Sequence, residues 1–320
     1  MKKGYILGGI LTAFFLSGVL GTTSFAEVSN MAVSDKERLK LESEISGEGC
    51  TIESFSIFSK SMEREIRVVV ILPPEYKAHP EKKYPILYTL HGGGAPYDTY
   101  SKMSPLRSAL KTKPMIVTCF DGDRGSWFVD SPYLQKPKNY SNEPKKKDAP
   151  ALPQVKSLFT TFFFEEFIPC VDKYYRVNEK QRMLTGFSMG SFGAFHYMLT
   201  KPAMFASVSS LSGCFSIDDG TESDWKTPVF GTLKSHPESY EAVNPFPRIK
   251  KYAEQKVKLP PVYLHCGTED VLMDDNIKMN AFLIENGYSS SLEKSPGKHE
   301  WKFWVGSSAG IIDFHWKSLK

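Results

Sequence analysis

Two short runs rich in apolar and β-branched residues, "TIESFSIFS" from Thr51 and "REIRVVVILP" from Arg64, predict strands, the second stopped by Pro73-Pro74. An antiparallel hairpin therefore opens the fold. Strand and helix signals then alternate along the chain. "YPILYTLHG" precedes a helix near 104–111, "MIVTCF" one near 157–175, and "RMLTGF" one near 190–200. "FASVSSLSG" follows, then a helix near 244–256, "PVYLHCG", a helix near 274–286, "SSSLEKS" and a last helix near 301–318. Such alternation implies an α/β fold: a mostly parallel, doubly wound sheet with helices on both faces. The nearly continuous apolar strands fit a sheet buried on both sides.

Two stretches lack this patterning. Residues 131–156, "SPYLQKPKNYSNEPKKKDAPALPQVK", carry lysines and prolines with almost no apolar period, and sheet elements continue on either side. They predict a long loop rather than a domain boundary. Because ligands of doubly wound sheets bind beyond the carboxyl ends of the strands, a loop after "MIVTCF" is placed to act as a lid; a solvated insertion without substrate contact is the alternative. Before residue 49 the chain reads as a flexible leader over 27–48, preceded by Lys2-Lys3, the apolar run Tyr5 to Leu20 and Ser24-Phe25-Ala26. That order predicts a secretory signal over 1–26 and a single domain over 49–320 that is secreted or periplasmic. A retained membrane anchor is the alternative, and Gly8, Gly9 and Gly18 break the short apolar run.

Composition narrows the function classes. Of 320 residues 41% are hydrophobic, enough for a full core, and the net charge is +4. Without Lys2 and Lys3, 38 basic residues face 36 acidic ones, which is no footprint for nucleic acid. Cys50, Cys119, Cys170, Cys214 and Cys266 form no C-x-x-C pair and no zinc-like cluster. Cys119 and Cys266 lie in apolar runs and predict buried thiols. Neither a metal nor an organic cofactor is called for.

"GFSMG", residues 186–190, matches G-x-S-x-G. Chance supplies that pattern in roughly one chain of this length in ten, so its context must decide. Here the strand "RMLTGF" passes into the helix "GSFGAFHYMLT", the context of a nucleophile elbow, which lifts Ser188 above the sheet edge. The helix N-terminus adds free N–H groups for a developing oxyanion. A serine needs a base and a carboxylate to orient that base, following it as acid then histidine. Of His196, His236, His265, His299 and His315, only His299 lies in a glycine-containing loop between a strand and a helix, "SPGKHEW". Beyond "PVYLHCG" stand Glu269, Asp270, Asp274 and Asp275. Asp274 and Asp275 are placed to cap the next helix, which leaves Asp270 first and Glu269 second as the acid. The backbone N–H groups of Met189 and, by loop position in "LHGGG", Gly93 are the candidate oxyanion donors.

Six stretches together, "LHGGG", "SWFVDSP", "FFFEEFIPCVDKYYRV", "GFSMG", "HCGTEDVL" and "GKHEW", resemble the putative esterase (esterase D-like) family of the α/β-hydrolase superfamily over about residues 60–305. The resemblance implies a serine esterase with Ser188, Asp270 and His299 at the family's triad positions and no cofactor. Two departures stand out: Ser191 replaces a common glycine, and the loop after Ser131 is longer than in compact members. The signal and "SWFVDSP" look most like the secreted feruloyl and acetyl-xylan esterases. Trp127 and Tyr133 would then stack on a sugar or aromatic acyl group, with plain packing the alternative. The resemblance leaves open an acyltransferase of the mycolyltransferase type, an S-formylglutathione hydrolase-like thioesterase, and a non-catalytic carbohydrate-binding protein.

Overall fold

A computed structural model describes residues 41–135, 154–218 and 225–319. The expected signal, most of the leader and the middle of the 131–156 loop lie outside the described residues. One sheet of nine strands runs β1-β2-β3-β5-β4-β6-β7-β8-β9. The strands are β1 (Glu42–Ile45), β2 (Thr51–Ser59), β3 (Arg64–Leu72), β4 (Tyr84–Leu90), β5 (Ile116–Phe120), β6 (Val177–Phe187), β7 (Ser207–Leu211), β8 (Val262–Gly267) and β9 (Ser290–Ser295). The first three are antiparallel, β3 pairs antiparallel with β5, and the rest are parallel. The α-helices are α1 (Ser104–Ala109), α2 (Phe159–Thr161), α3 (Ile168–Tyr174), α4 (Met189–Thr200), α5 (Thr227–Phe230), α6 (Pro237–Glu241), α7 (Pro245–Glu254), α8 (Met273–Glu285) and α9 (Trp301–Lys317). A π-helical turn, Phe162–Phe167, joins α2 to α3.

The two-residue period of the strands sorts the core onto two faces. Val68, Val70, Ile86 and Tyr88 point to one face, where Phe159, Phe163, Phe167 and α4 cover them. Val69, Ile71 and Leu87 point to the other, under α1 and the Ile311-Ile312 pair of α9. Strands β4, β5 and β7 are buried along their whole length; β4 and β5 therefore read as nearly continuous apolar runs, whereas three of the five residues of β7 are serines, two of which hydrogen-bond His315. Strand β1 corrects the expected leader, since Glu42 to Ile45 pair with Ser54 to Thr51 of β2. Its residues are all exposed, so no apolar alternation marks it, and its glutamates suit a solvent-facing sheet edge. Among the described residues, the 131–156 loop has a paired stem, Gln135 bridging Val155 and, just outside it, Asp130 bridging Leu158.

Helix α9 is pinned to the sheet by a buried polar contact. Ser209 Oγ donates to Thr185 Oγ1 (2.8 Å), so it accepts the Nε2–H of His315 (2.9 Å), and His315 Nδ1 accepts from Ser207 Oγ (2.7 Å). The ring is therefore neutral, and burial pulls its pKa down to about 3. His196 is lowered to about 3 as well, by burial and then by the Arg248 charge. The unfolded chain binds these protons below its ordinary histidine pKa, near 6.5, while the folded chain refuses them until about pH 3. Stability is thus expected to fall as pH drops through that window, each histidine adding a slope of up to about 1.4 kcal/mol per pH unit. Denaturant unfolding of the wild type and His315→Gln at pH 7 and pH 5 checks this: the variant should lose less stability on acidification, and equal losses would remove His315 from the account.

Candidate active site

The sheet order reverses at β4, which lies between β5 and β6, and that switch point opens a crevice at the carboxyl ends of the strands. Ser188 follows β6 there with φ 53° and ψ −124°, and α4 begins at Met189. The left-handed residue of the elbow is thus the serine itself. Its flanking glycines serve close approach instead. A Cβ on Gly186 would lie 2.1 Å from the Gly190 carbonyl carbon, and one on Gly190 would lie 2.1 Å from the Leu90 oxygen. Ser188 N–H donates to Leu211 O, fixing the turn to β7. Ser191, the departure from the family pattern, is fully buried and donates its hydroxyl to Gly186 O (2.8 Å). The departure tightens the elbow and leaves the reacting atoms alone.

His299 and Asp270 arrive on two loops locked together by backbone. Gly267 ends β8 without a side chain, because a Cβ there would sit 2.3 Å from Gly297 O. Thr268 N–H donates to Ser295 O and Glu269 N–H to Gly297 O, so the acid loop rides on the histidine loop. The result is a line of three groups. His299 Nε2 is 2.9 Å from Ser188 Oγ, and His299 Nδ1 is 3.1 Å from each Asp270 carboxylate oxygen. The Asp270 side chain is wholly buried and also accepts Leu272 N–H at 2.8 Å. Burial alone would raise its pKa, but the hydrogen bond from His299 and then that from Leu272 N–H leave it below the usual carboxylate value. An ionised Asp270 holds the proton on Nδ1 and so presents a bare Nε2 to the serine hydroxyl.

The other candidates separate from this line. Glu269 is exposed and makes no ion pair with His299 among the described residues. Asp275 does not cap α8, whose N-cap position is Leu272. Its carboxylate instead accepts Phe215 N–H, Ser216 N–H and the Ser216 hydroxyl (2.5, 3.0 and 2.6 Å), holding the loop after β7. Asp274 lies in the first helical turn. His265 pairs with Ser295, and His196 bridges Thr160 and Arg248. His236 packs against Tyr133, ring centroids 5.5 Å apart.

Ser188 and His299 open into a cleft of about 410 Å³ whose wall includes Gly93, Trp127, Met189 and Trp225. Among the described residues, neither the Gly93 nor the Met189 N–H has a hydrogen-bond partner, so both are available to an oxyanion. The glycine loop is held by His91, whose Nε2 accepts Gly122 N–H and whose Nδ1–H donates to Gly92 O, each at 2.9 Å. A Cβ on Gly93 would lie 3.0 Å from the Trp225 ring, closer than ordinary contact, so a side chain there would require the indole to give way. Trp127 reaches the cleft but spends its indole N–H on Trp225 O (2.8 Å), while Tyr133 is not part of the wall. Trp225, Leu272 and Cys214 line the cleft and carry no local sequence signal for that role. All five cysteines are free. Among the described residues no helix is long and apolar enough to cross a membrane, and no group of three or more His, Cys, Asp or Glu side chains is placed to hold a metal ion.

The model of the family described as "Putative esterase" matches residues 59–308. An esterase of Mycobacterium tuberculosis is 29% identical over 209 residues, which is 60% of this chain and 41% of that protein. The chain thus spans less than half the length of that curated relative. An acetyl esterase of Caldicellulosiruptor saccharolyticus is 23% identical over 83% of this chain and 98% of its own. A solved ferulic acid esterase shares the fold with a TM-score of 0.65 at 22% identity, covering 84% of this chain and 99% of that one. The sheet order, the serine elbow and a family match over most of its length place this chain in the putative esterase family of α/β-hydrolases.

Proposed function

We propose that the protein is a serine carboxylesterase working through an acyl-enzyme. The observation that carries this reading is the unbroken line from Ser188 Oγ through His299 to a buried Asp270, facing a cleft with two unpaired backbone donors. Ser188 Oγ attacks the ester carbonyl carbon while His299 Nε2 takes its proton. The carbonyl oxygen gains the negative charge and is met by the Gly93 and Met189 N–H groups. Collapse of the tetrahedral intermediate expels the alcohol, which receives the proton from His299. Water then repeats the sequence on the acyl-enzyme, releasing the acid and restoring Ser188. Asp270 stays ionised throughout and stabilises the imidazolium.

For the substrate, the reading is a short or aromatic acyl ester, feruloyl or acetyl, carried on carbohydrate. The aromatic wall of Trp127 and Trp225 supports it, as do relatives named acetyl esterase and ferulic acid esterase. The amino-terminal sequence supports export to a secreted or periplasmic location, where such polymers are met. Tests should compare kcat/KM on p-nitrophenyl acetate through octanoate, methyl ferulate and acetylated xylan. The expected result is a preference for acetyl or feruloyl esters over octanoyl by about tenfold or more, since a few misplaced methylenes cost that much in a short cleft. A maximum at octanoate would overturn the substrate assignment while leaving the esterase reading intact.

A further inference from the structure

Behind Asp270 and His299 lies a second pair of side chains that no step above uses. Trp304, on the first turn of α9, donates its indole N–H to Ser212 Oγ at 3.1 Å. The same indole stacks on Phe187, the residue before the nucleophile, with centroids 4.5 Å apart. Its ring also meets the His299 imidazole nearly at right angles (87°), centroids 5.0 Å apart. One aromatic side chain thus touches the elbow, the base and the serine next to the acid loop.

Ser212 is fully buried and adopts φ 48°, a left-handed conformation uncommon for a residue with a side chain. Its N–H donates to His265 O at 2.9 Å, which holds that conformation against β8. Strain of this kind is retained where the surrounding structure over-determines it. The hydrogen-bond inventory says what the position is for. An indole N–H can only donate, so Ser212 Oγ accepts it, and the hydroxyl hydrogen must go to another acceptor. Within the wholly buried Asp270 side chain the two oxygens are unequally served. Oδ1 takes Leu272 N–H and shares His299 Nδ1–H, whereas among the described residues Oδ2 has only that shared donor at 3.1 Å. A buried carboxylate oxygen calls for a further partner.

We propose that Ser212 and Trp304 are positioning residues for the Asp270–His299 pair, the indole fixing the serine hydroxyl so that its hydrogen is donated to the Asp270 carboxylate. The consequence is one acid orientation and one histidine orientation, rather than a carboxylate free to rotate away from Nδ1. The Ser212 hydroxyl is also among the groups that hold the acidity of Asp270. The other titratable group facing this pair is Cys266 of β8, whose thiol burial pushes up to about 12, so it remains neutral across the working range.

The proposal rests on the triad reading, and its test separates the two. Ser212→Gly removes the hydroxyl and suits the left-handed backbone, while Trp304→Phe keeps a ring and removes only the donor. Both are expected to lower kcat on p-nitrophenyl acetate by about tenfold, the value of one hydrogen bond to a charged group, with KM within about twofold. The acid limb of the pH–rate profile, which follows protonation of the coupled Asp270–His299 pair, should move to higher pH by about half a unit, because a carboxylate that loses a donor is a stronger acceptor for the proton of that pair. A purely structural role would lower the melting temperature and leave that limb in place; this outcome, or wild-type turnover in both variants, overturns the proposal. Ser188→Ala measured alongside reports on the triad independently. If it keeps full activity the triad reading fails, and if it is dead while the two variants match wild type, only the positioning role fails.

Discussion

A Ser188→Ala protein is expected to fold normally and to lose nearly all ester turnover, with kcat down by roughly 10⁴- to 10⁶-fold. The fold survives because the elbow is held by groups the substitution leaves in place. Ser188 N–H still donates to Leu211 O, and Ser188 O still accepts from Ser191 N–H. Alanine and serine tolerate φ 53° about equally, so the strain at the turn is unchanged. The lost Oγ had His299 Nε2 as its partner, and that nitrogen faces the cleft, where water replaces the hydroxyl. No buried polar atom is orphaned. Catalysis fails because, among the described residues, Ser188 is the hydroxyl that hydrogen-bonds His299 Nε2; Ser216, also in the wall, is already committed to Asp275. What remains is the cleft with its two oxyanion donors, worth a residual acceleration over water. Turnover of p-nitrophenyl acetate and the melting temperature, measured on the same preparation, decide the matter. A stable variant with more than a few percent of wild-type activity would mean that Ser188 is a turn serine and that the nucleophile lies elsewhere.

The parts of this site that could be read in the sequence are those that follow an apolar strand directly. Ser188 comes one residue after β6, Asp270 three residues after β8, and His299 four residues after β9, so a strand pattern and a chain order single out three residues that the fold brings into hydrogen-bonding reach. Much of the sheet was legible for a related reason: strands buried on both faces, such as β4 and β5, are mostly apolar. Elements escaped where burial leaves no such trace. Strand β1 is exposed along its length, and α5 and α6 are four and five residues long, too short to show a helical period.

Side-chain partnerships were the hardest to foresee, because they join residues far apart in the chain. Asp275 looks like a cap for α8 by spacing alone, yet its carboxylate accepts three donors from the loop after β7, and no side chain caps that helix end. Ser212 and Trp304 are 92 residues apart and meet only because β7 and α9 pack together. Tyr133 sits six residues after Trp127, and the resemblance groups the two, but the chain turns away and packs it edge-on against His236. Trp127 did reach the cleft, with its polar handle already occupied.

Asp270→Asn is expected to cut kcat by about 10³- to 10⁴-fold while KM stays near the wild-type value. The substitution removes a charge and barely changes shape, so the effect comes from which atoms can donate. Leu272 N–H points at one carboxylate oxygen from 2.8 Å and can be satisfied only by an acceptor. The asparagine carbonyl must therefore take that position, which turns its NH₂ toward the other side of the pocket, where His299 Nδ1 lies 3.1 Å away. Two N–H groups cannot face each other, so the imidazole moves its proton to Nε2. A protonated Nε2 donates to Ser188 Oγ instead of accepting from it, and the base is lost. Flipping the amide to spare His299 would set the NH₂ against Leu272 N–H inside a wholly buried site, at a cost of about 1–3 kcal/mol, so the wrong tautomer is the cheaper outcome. Because the acid contacts no substrate, binding is untouched, and the loss appears in kcat. The measurement is a pair of kcat and KM values for p-nitrophenyl acetate, with the histidine tautomer read by ¹⁵N NMR. A variant within tenfold of wild type, with Nδ1 still protonated, would show that Asp270 does not set the state of His299 and that the acid of this site is another group.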